Sequence, residues 1–325
     1  MEVRIATFNI FWFPSSSFIG NRRSSDDIEK IREVIRRLDA DVLIFQEILD
    51  LEALEELLSD LIPSRSYRMR DDAGKWAASG IEKGDMKVPL AFDSSKLELL
   101  EAGSVRRPGD PAAAWGRREP VAARLQPVGG GPIFTVIGVH LKSGYLTEGP
   151  DPVTQDDHIR VEEMTKLSEW IATLAPITPG AAARPAGEPT VLVGDFNAVR
   201  RNAAMKPFLP GGALSSWSWP EPRFASAMSP SPVEMNLQDH ERWTTHLDKK
   251  VIDHVMVSPE LALAEAPWVY AFDQDESWLQ TVGVSQDWLE QGNYMLTPSQ
   301  EPPREVENLH RISDHRPVRA TLVLT

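Results

Sequence analysis

VLVGDFN, residues 191–197, is a short run of aliphatic residues that stops on Gly194, Asp195 and Asn197. A run of this length and β-branched content reads as a buried strand. In layered α/β folds the ends of such strands are where ligand and reactive groups gather. Four further runs repeat the pattern. DVLIFQE, 41–47, stops at Glu47, and FTVIGVH, 134–140, stops at His140. IDHVMV, 252–257, begins at Asp253, and the last run, 318–324, begins just after Asp314 and His315. Several acids, an Asn and two His are thereby delivered to one rim of a sheet core, an arrangement that describes a divalent-metal site.

Outward from these runs, the pattern predicts a strand over 3–12 and a helix over 25–38, with Ser24 or Ser25 as its cap. A buried strand over 42–45 and a helix over 51–61 follow. Strands are expected at 88–92, 96–100, 120–125 and 133–139, with Gly129–Gly131 turning the last hairpin. A second long helix pattern covers 156–174, and a Pro/Ala/Gly linker, 176–189, leads into the strand that ends at Asp195. Residues 207–232 are expected to be irregular, with strands returning at 243–245, 251–257 and 318–324. Hairpins alternating with crossovers fit two mixed sheets packed face to face with helices outside, an α/β (α+β) architecture. One domain over 1–325 is expected, because any shared site draws on both ends of the chain.

Composition narrows the function classes. The 325 residues are 42% hydrophobic and 25% charged, ordinary for a soluble globular protein. No apolar stretch is long enough for a membrane span, and MEVRIATFNIF enters a strand pattern directly, so a cytoplasmic location is expected. The absence of Cys excludes disulfides, thiolate zinc and a Cys nucleophile together. A net charge of −14 argues against a broad non-specific nucleic-acid surface, though not against local phosphate contacts. No protein partner is inferred. The chain has no G-x-S-x-G elbow, Walker loop or H-E-x-x-H pair.

Each polar strand end has a bland reading beside a chemical one. Glu47 alone would be a strand-end surface acid; in company it suits Mg²⁺, which prefers a few carboxylates plus water. Asp195 and Asn197, two positions apart after Gly194, could form an Asx-type turn or point together at a reacting group. Ser313-Asp314-His315 is either a turn or a metal- or water-orienting acid beside a proton carrier. Asp253 could orient His315 by accepting its ring N–H. His140 gains weight only from its neighbours.

Taken in order, NI…QE…H…GDFN…IDH…SDH resembles the endonuclease/exonuclease/phosphatase superfamily, which includes DNase I-like nucleases, sphingomyelinases and inositol-polyphosphate phosphatases. The resemblance spans Asn9 to His315. It implies a four-layer sandwich of two mixed sheets flanked by helices, with Asn9, Glu47 and Asp314 around Mg²⁺ or Mn²⁺. It also implies that Asp195 and Asn197 position water and phosphate, while His140 and the Asp253-supported His315 contact phosphate or move protons. Arg118, in Arg-Glu-Pro, resembles a substrate-side Arg of the DNase I-like branch. HLKSG, 140–144, resembles bacterial DNase-type members, which would set Lys142 and Ser143 against a flanking phosphate.

A nuclease acting on a nucleic-acid substrate is the first expectation. A phosphatase or phosphodiesterase for a small molecule or lipid headgroup is the second, and a non-catalytic binding protein the third. The basic pairs Arg22–Arg23, Arg200–Arg201 and Lys249–Lys250 are either a positive collar round the site or solvated charge. An aromatic-rich insertion at about 260–310 carries Trp268, Tyr270, Phe272, Trp278, Trp288 and Tyr294 among Asp273, Asp275 and Glu276. It is expected to be a subdomain with a small core of its own, ahead of a substrate-gripping lid. A calcium loop is disfavoured by the missing Gly.

Overall fold

A computed structural model describes residues 1–15, 23–59, 61–79, 86–105, 118–143, 152–178, 182–200, 202–220, 223–225, 251–270, 272, 275–282, 313 and 315–325. Sheet one contains β1 (Glu2–Phe13), β2 (Val42–Ile48), β3 (Tyr67–Arg68), β4 (Ala78–Ser79) and β5 (Val88–Asp93). Sheet two contains β6 (Leu97–Ser104), β7 (Val121–Pro127), β8 (Phe134–His140), β9 (Thr190–Asp195) and β11 (Asp253–Val257). The chain returns to sheet one with β10 (Arg223–Ala225), β12 (Ala262–Leu263), β13 (Trp268–Tyr270) and β14 (Val318–Val323). The helices are α1 (Ser25–Leu38), α2 (Leu51–Leu58), α3 (Pro152–Ala172) and α4 (Glu276–Val282), with a 3₁₀ turn at Ala203–Phe208.

Sheet one runs β10-β13-β14-β1-β2-β5-β3, and sheet two runs β11-β9-β8-β7-β6. Both are mixed: β1 and β2 are parallel, as are β8 and β9, while β14 and β11 run against their neighbours β1 and β9. The strands ending at Glu47, His140 and Asp195 therefore oppose those that begin at Asp253 and follow His315.

Period-two alternation separates three apolar layers. Val3, Ile5, Val42 and Ile44 of sheet one meet Phe134, Val136, Val191, Val193, Val255 and Val257 of sheet two in one buried layer between the sheets. The intervening residues, Phe8, Ile10, Leu43 and Phe45, turn outward onto Ile31, Val34, Ile35 and Leu38 of α1 and Leu54 and Leu57 of α2. On the far side, Ile137, Val139, Leu192 and Met256 pack on Met164, Leu167 and Trp170 of α3. The result is the expected stack of helix, sheet, sheet and helix.

α1 begins where its cap predicts, with Ser24 Oγ accepting from Asp27 N–H at 3.1 Å. α2 stops at Leu58 rather than Leu61. Arg32 of α1 donates to the Leu57 and Ser59 carbonyls and Arg36 to that of Leu61, so side chains replace the last helical turn.

The insertion departs from expectation. Its described residues build no separate core: β13 pairs with β14, and Tyr270, Phe272 and Trp278 join the helix-side layer with Phe8. Phe272 stands edge-on to Phe8 at 6.4 Å and to Trp278 at 5.2 Å. Asp275, one of the insertion's acids, binds Arg37 at 2.9 Å and the Tyr270 hydroxyl at 2.7 Å. Asp273, Trp288, Tyr294 and the strand expected at 243–245 lie outside the described residues.

Gly138 lets β8 pack tightly against sheet one and β7. A Cβ there would sit 2.7 Å from Ile44 Cγ2 and 2.9 Å from Val121 Cγ1. Overpacking of this kind forces neighbours off their rotamers, so Gly138→Ala should cost about 1–3 kcal/mol of stability. The urea midpoint should fall with the slope unchanged; an unshifted midpoint would show that the layer yields.

Candidate active site

The inter-sheet face that carries Val3 and Ile5 on β1 continues through Thr7 to Asn9. On β2 it continues from Val42 and Ile44 to Gln46, on β8 to His140, on β9 to Asp195, and on β11 it starts at Asp253. The same alternation that fills the core thus ends in a polar cluster at its mouth. Thr7 and Gln46 form its floor, exchanging hydrogen bonds of 3.1 and 2.9 Å. Strand register does the remaining alignment: His140 lies opposite Asp195, and Asp195 opposite Asp253.

Glu47 breaks the alternation, since its position on β2 belongs to the helix side. Its backbone is left-handed, with φ +59°. An uncommon conformation for a side-chain-bearing residue brings the carboxylate back to the site, where Oε1 accepts from Asn9 Nδ2 at 3.3 Å. Asn197 is also left-handed, φ +46°. Its backbone N–H reaches Asp195 Oδ1 at 2.7 Å, and its side-chain amide reaches Asp195 Oδ2 at 3.1 Å and Leu141 O at 2.9 Å. Gly194 makes this turn possible, because a Cβ there would stand 2.2 Å from Val139 O.

Asn9 is the hub. Its Oδ1 accepts the Phe11 N–H at 3.0 Å, which orients the amide. Nδ2 then faces Glu47, Asp195 Oδ2 at 3.2 Å and His315 Nε2 at 3.4 Å. A carboxylate only accepts, so the imidazole carries a hydrogen on Nδ1, where Asp253 Oδ2 accepts it at 2.9 Å. His315 Nε2 lies 3.7 Å from Asp195 Oδ2. Ser313 anchors this turn, donating to Asn9 O at 2.5 Å and accepting from His315 N–H at 2.9 Å. Asp314 lies outside the described residues.

His140 stands on the other flank. Its Nε2 is 3.7 Å from Glu47 Oε1 and 3.6 Å from Asp195 Oδ2, and Arg118 Nη1 approaches it at 3.0 Å. A guanidinium can only donate, so Nε2 accepts and the ring is neutral. Burial first, then Arg118 and His315, hold its pKa well below the ordinary range. Asp195 is pushed the other way, up to about 6, chiefly by burial, with His315 pulling it down and Asp253 pushing it further up. Arg118 also donates to Leu141 O at 3.0 Å and Ser143 Oγ at 3.3 Å.

One group of buried side chains has the spacing to hold a metal ion. Carboxylate oxygens of Asp195 and Asp253 and a ring nitrogen of His315 lie within 4.8 Å of one another. Asp195 and Asp253 are each 1% exposed. Carboxylates so buried need positive charge nearby.

Two sequence expectations change. The ammonium of Lys142, expected at a flanking phosphate, lies 3.1 Å from the fully buried Asp156 and 2.7 Å from Ser143 O, so it is engaged within the protein. Arg23, read either as part of a positive collar or as solvated charge, is instead 4% exposed and donates to the Ile10 and Phe11 carbonyls at 3.0 and 2.8 Å, tying down the end of β1. Arg200 is stacked 4.7 Å over Trp219. Arg22, Arg201, Lys249 and Lys250 lie outside the described residues. Glu163, which sequence reading passed over, accepts the Lys142 N–H at 2.9 Å. Its only sequence signal is its place with Asp156 and Arg160 on one helical face.

A model of the Endonuclease/Exonuclease/phosphatase family matches residues 6–315. Among solved structures, a mannosyl-6-phosphatase from Bacteroides thetaiotaomicron superposes with a TM-score of 0.56 at 17% identity, covering 99% of both chains. The human Nocturnin catalytic domain with bound sulfate gives 0.53 at 15%, covering 100% of this chain and 95% of that one. TDP2 from D. rerio, complexed with a single-strand DNA product, gives 0.54 at 12%, covering 99% of both. No curated protein sequence matches the chain. No helix among the described residues is long and apolar enough to cross a membrane.

Burial pushes the Glu163 carboxyl from an ordinary 4.5 up to about 7. A raised acid pKa means the fold favours the protonated form. The associated stability is whole below the ordinary value and is lost as pH rises through about 7. Glu163→Gln cannot titrate, so its urea midpoint should gain on the wild type between about pH 5 and about pH 8. A constant gap across that range would contradict the buried acid.

Proposed function

The chain belongs to the endonuclease/exonuclease/phosphatase family, whose members act on phosphate esters, and from that premise we propose a divalent-metal-dependent nuclease that hydrolyses phosphodiester bonds. The observation that carries this reading is the buried convergence of Asn9, Glu47, His140, Asp195, Asp253 and His315 from both sheets on one mouth. Mg²⁺ or Mn²⁺ is the cation we assign, with Glu47 and Asp314 as the carboxylates that would hold it. When bound, it supplies charge stabilisation on the phosphoryl and leaving oxygens. Asn9 joins the two carboxylates, its Nδ2 clamping Glu47 and Asp195 while its Oδ1, which accepts the Phe11 N–H, keeps a second lone pair for the cation.

Hydrolysis needs a water aligned in line with the leaving oxygen and a place for its proton. Asp195, fixed by two donors of Asn197, presents a carboxylate oxygen to align that water. His315, held at Nδ1 by Asp253, presents Nε2 toward Asp195 Oδ2 at 3.7 Å, where it takes or returns a proton. Arg118, braced by neutral His140, and Ser143 form a donor-bearing flank for phosphate oxygens. No Ser or Cys nucleophile is required.

A phosphatase of small phosphorylated substrates is the second reading. The net charge of −14 favours it, since a long polyanion would meet net repulsion away from the site. The two readings separate on a panel of plasmid DNA, single-stranded DNA, RNA, sphingomyelin, inositol phosphates and a sugar phosphate. EDTA should abolish cleavage, and Asp195→Ala should cost about 10²–10³ in kcat, as loss of other preorganised groups does. Cleavage of inositol or sugar phosphate alone would remove the nuclease reading, and full activity of Asp195→Ala would remove the site. Asp253→Asn reverses the hydrogen bond that fixes the His315 tautomer, so kcat should fall about 10²–10⁴-fold with little change in KM; an unchanged kcat would take His315 out of proton transfer.

A further inference from the structure

The segment after β8 carries Ser143 and the Leu141 carbonyl that bind Arg118 beside His140, and nothing in that flank explains why three charged side chains of α3 are buried beneath it. Asp156, Arg160 and Glu163 are 0%, 5% and 7% exposed. Their spacing of four and three residues places them on one face of the helix. Between them they engage every polar group of Lys142. Glu163 Oε2 accepts its backbone N–H at 2.9 Å, Arg160 Nη1 donates to its carbonyl at 2.8 Å, and Asp156 Oδ1 meets its ammonium at 3.1 Å. The preceding carbonyl, Leu141 O, takes Arg118 and Asn197.

The same face reaches the other reactive turn. Arg160 pairs with Asp157, and Asp157 Oδ1 accepts from Asn202 Nδ2 at 2.7 Å, five residues beyond Asn197. Asn202 in turn caps the 3₁₀ turn that packs on α3. One helix therefore registers the turn after β8 against the turn after β9. A surface loop needs no buried charges for this, and burying them is costly unless geometry repays it.

We propose that the Asp156–Arg160–Glu163 face of α3 and its counterpart Lys142 are positioning residues, which hold Leu141 to Ser143 so that Arg118, braced by His140, and Ser143 meet the substrate phosphate together with Asp195 and Asn197. This rests on the phosphoesterase reading for its consequence, though not for its geometry. Lys142 on this account is a pin within the protein and not a cation for substrate.

The test pairs a substrate-free measurement with kinetics. Amide hydrogen exchange across 139–143 should quicken about tenfold or more in Glu163→Ala and in Asp156→Asn, and stay near wild type in Glu163→Gln, whose amide oxygen still accepts. Unchanged exchange in all three would overturn the proposal, whether or not the protein cleaves anything. For kinetics, bis(p-nitrophenyl) phosphate and a short oligonucleotide are the probes. Lys142→Met and Asp156→Asn should each lower kcat about tenfold on both, because small misplacement is costly, and KM should move less than about twofold. The double variant should be no worse than the poorer single one. A KM raised for the oligonucleotide alone by Lys142→Met, with Asp156→Asn silent, would make Lys142 a substrate cation and overturn the proposal. A wild type inert on every phosphate ester would fail the phosphoesterase reading and leave exchange to decide the positioning.

Discussion

The register of three neighbouring strands is the constraint on which the site depends. His140, Asp195 and Asp253 stand in one row across β8, β9 and β11 because parallel pairing of the first two and antiparallel pairing of the last two bring them opposite one another. Strand side chains have a period of two, so a slip by one residue would send all of a strand's inward residues to the helix side. Here the slip is barred twice. Val191, Val193, Val255 and Val257 would leave the layer between the sheets, and Leu192 and Met256 would leave the layer under α3. The apolar core thus aims the polar residues. Packing and chemistry share one periodicity, and what secures the one secures the other.

Electrostatics then decides what the cluster is for. A carboxylate taken from water into a protein interior is destabilised unless charge or donors compensate. Glu47, Asp195 and Asp253 are brought to one place with His315 between two of them, neutral His140 beside them and Arg118 on one flank. At the opposite rim the same fold shows what full compensation looks like. Arg65 meets Asp39, Asp41 and Asp93 together, and Lys96 adds a second cation at 2.7 Å from Asp41. Asp41 is accordingly held below the usual carboxylate range, while burial leaves Asp195 above it. The contrast within one molecule separates a finished ion-pair network from a site that still favours added positive charge.

Much of this was legible in the strand-end pattern, for a physical reason. A buried strand must be apolar until it leaves the core, so the first polar residue at the edge marks both the edge and the direction in which it points. Asn9, His140, Asp195 and Asp253 could be read that way. Glu47 could be located but not aimed, because its arrival depends on a left-handed backbone that residue identity does not reveal. The orientation of Asn9 was equally hidden, since it is set by the Phe11 N–H. Helix-borne charges were the larger omission. Asp156, Arg160 and Glu163 look like an ordinary solvated face, and only the third dimension puts the 140–143 segment over them. The insertion misled in the other direction. Its aromatics signalled a core, but β13 adds to sheet one and lets Phe272 and Trp278 enlarge the layer that already holds Phe8.

Of the six described residues other than glycine that have a left-handed backbone, all but Asp39 and Leu174 lie at the rim of the candidate site. Phe11, Trp12, Glu47 and Asn197 have φ of 29°, 59°, 59° and 46°, and Gly194 has 146°. Such conformations cost of order 1–3 kcal/mol each for residues with side chains and persist only where surrounding structure over-determines them. The surroundings do so here through contacts already in place for other reasons. Arg23 grips the carbonyls of Ile10 and Phe11, Asn9 holds the Phe11 N–H, and Asn197 is tied at both its backbone and its amide. The strands themselves could have ended in relaxed turns facing solvent. Their departure from relaxed geometry occurs at the residues that must turn Glu47 and Asn197 back toward Asp195, and the stability spent there is drawn from the apolar layers immediately below.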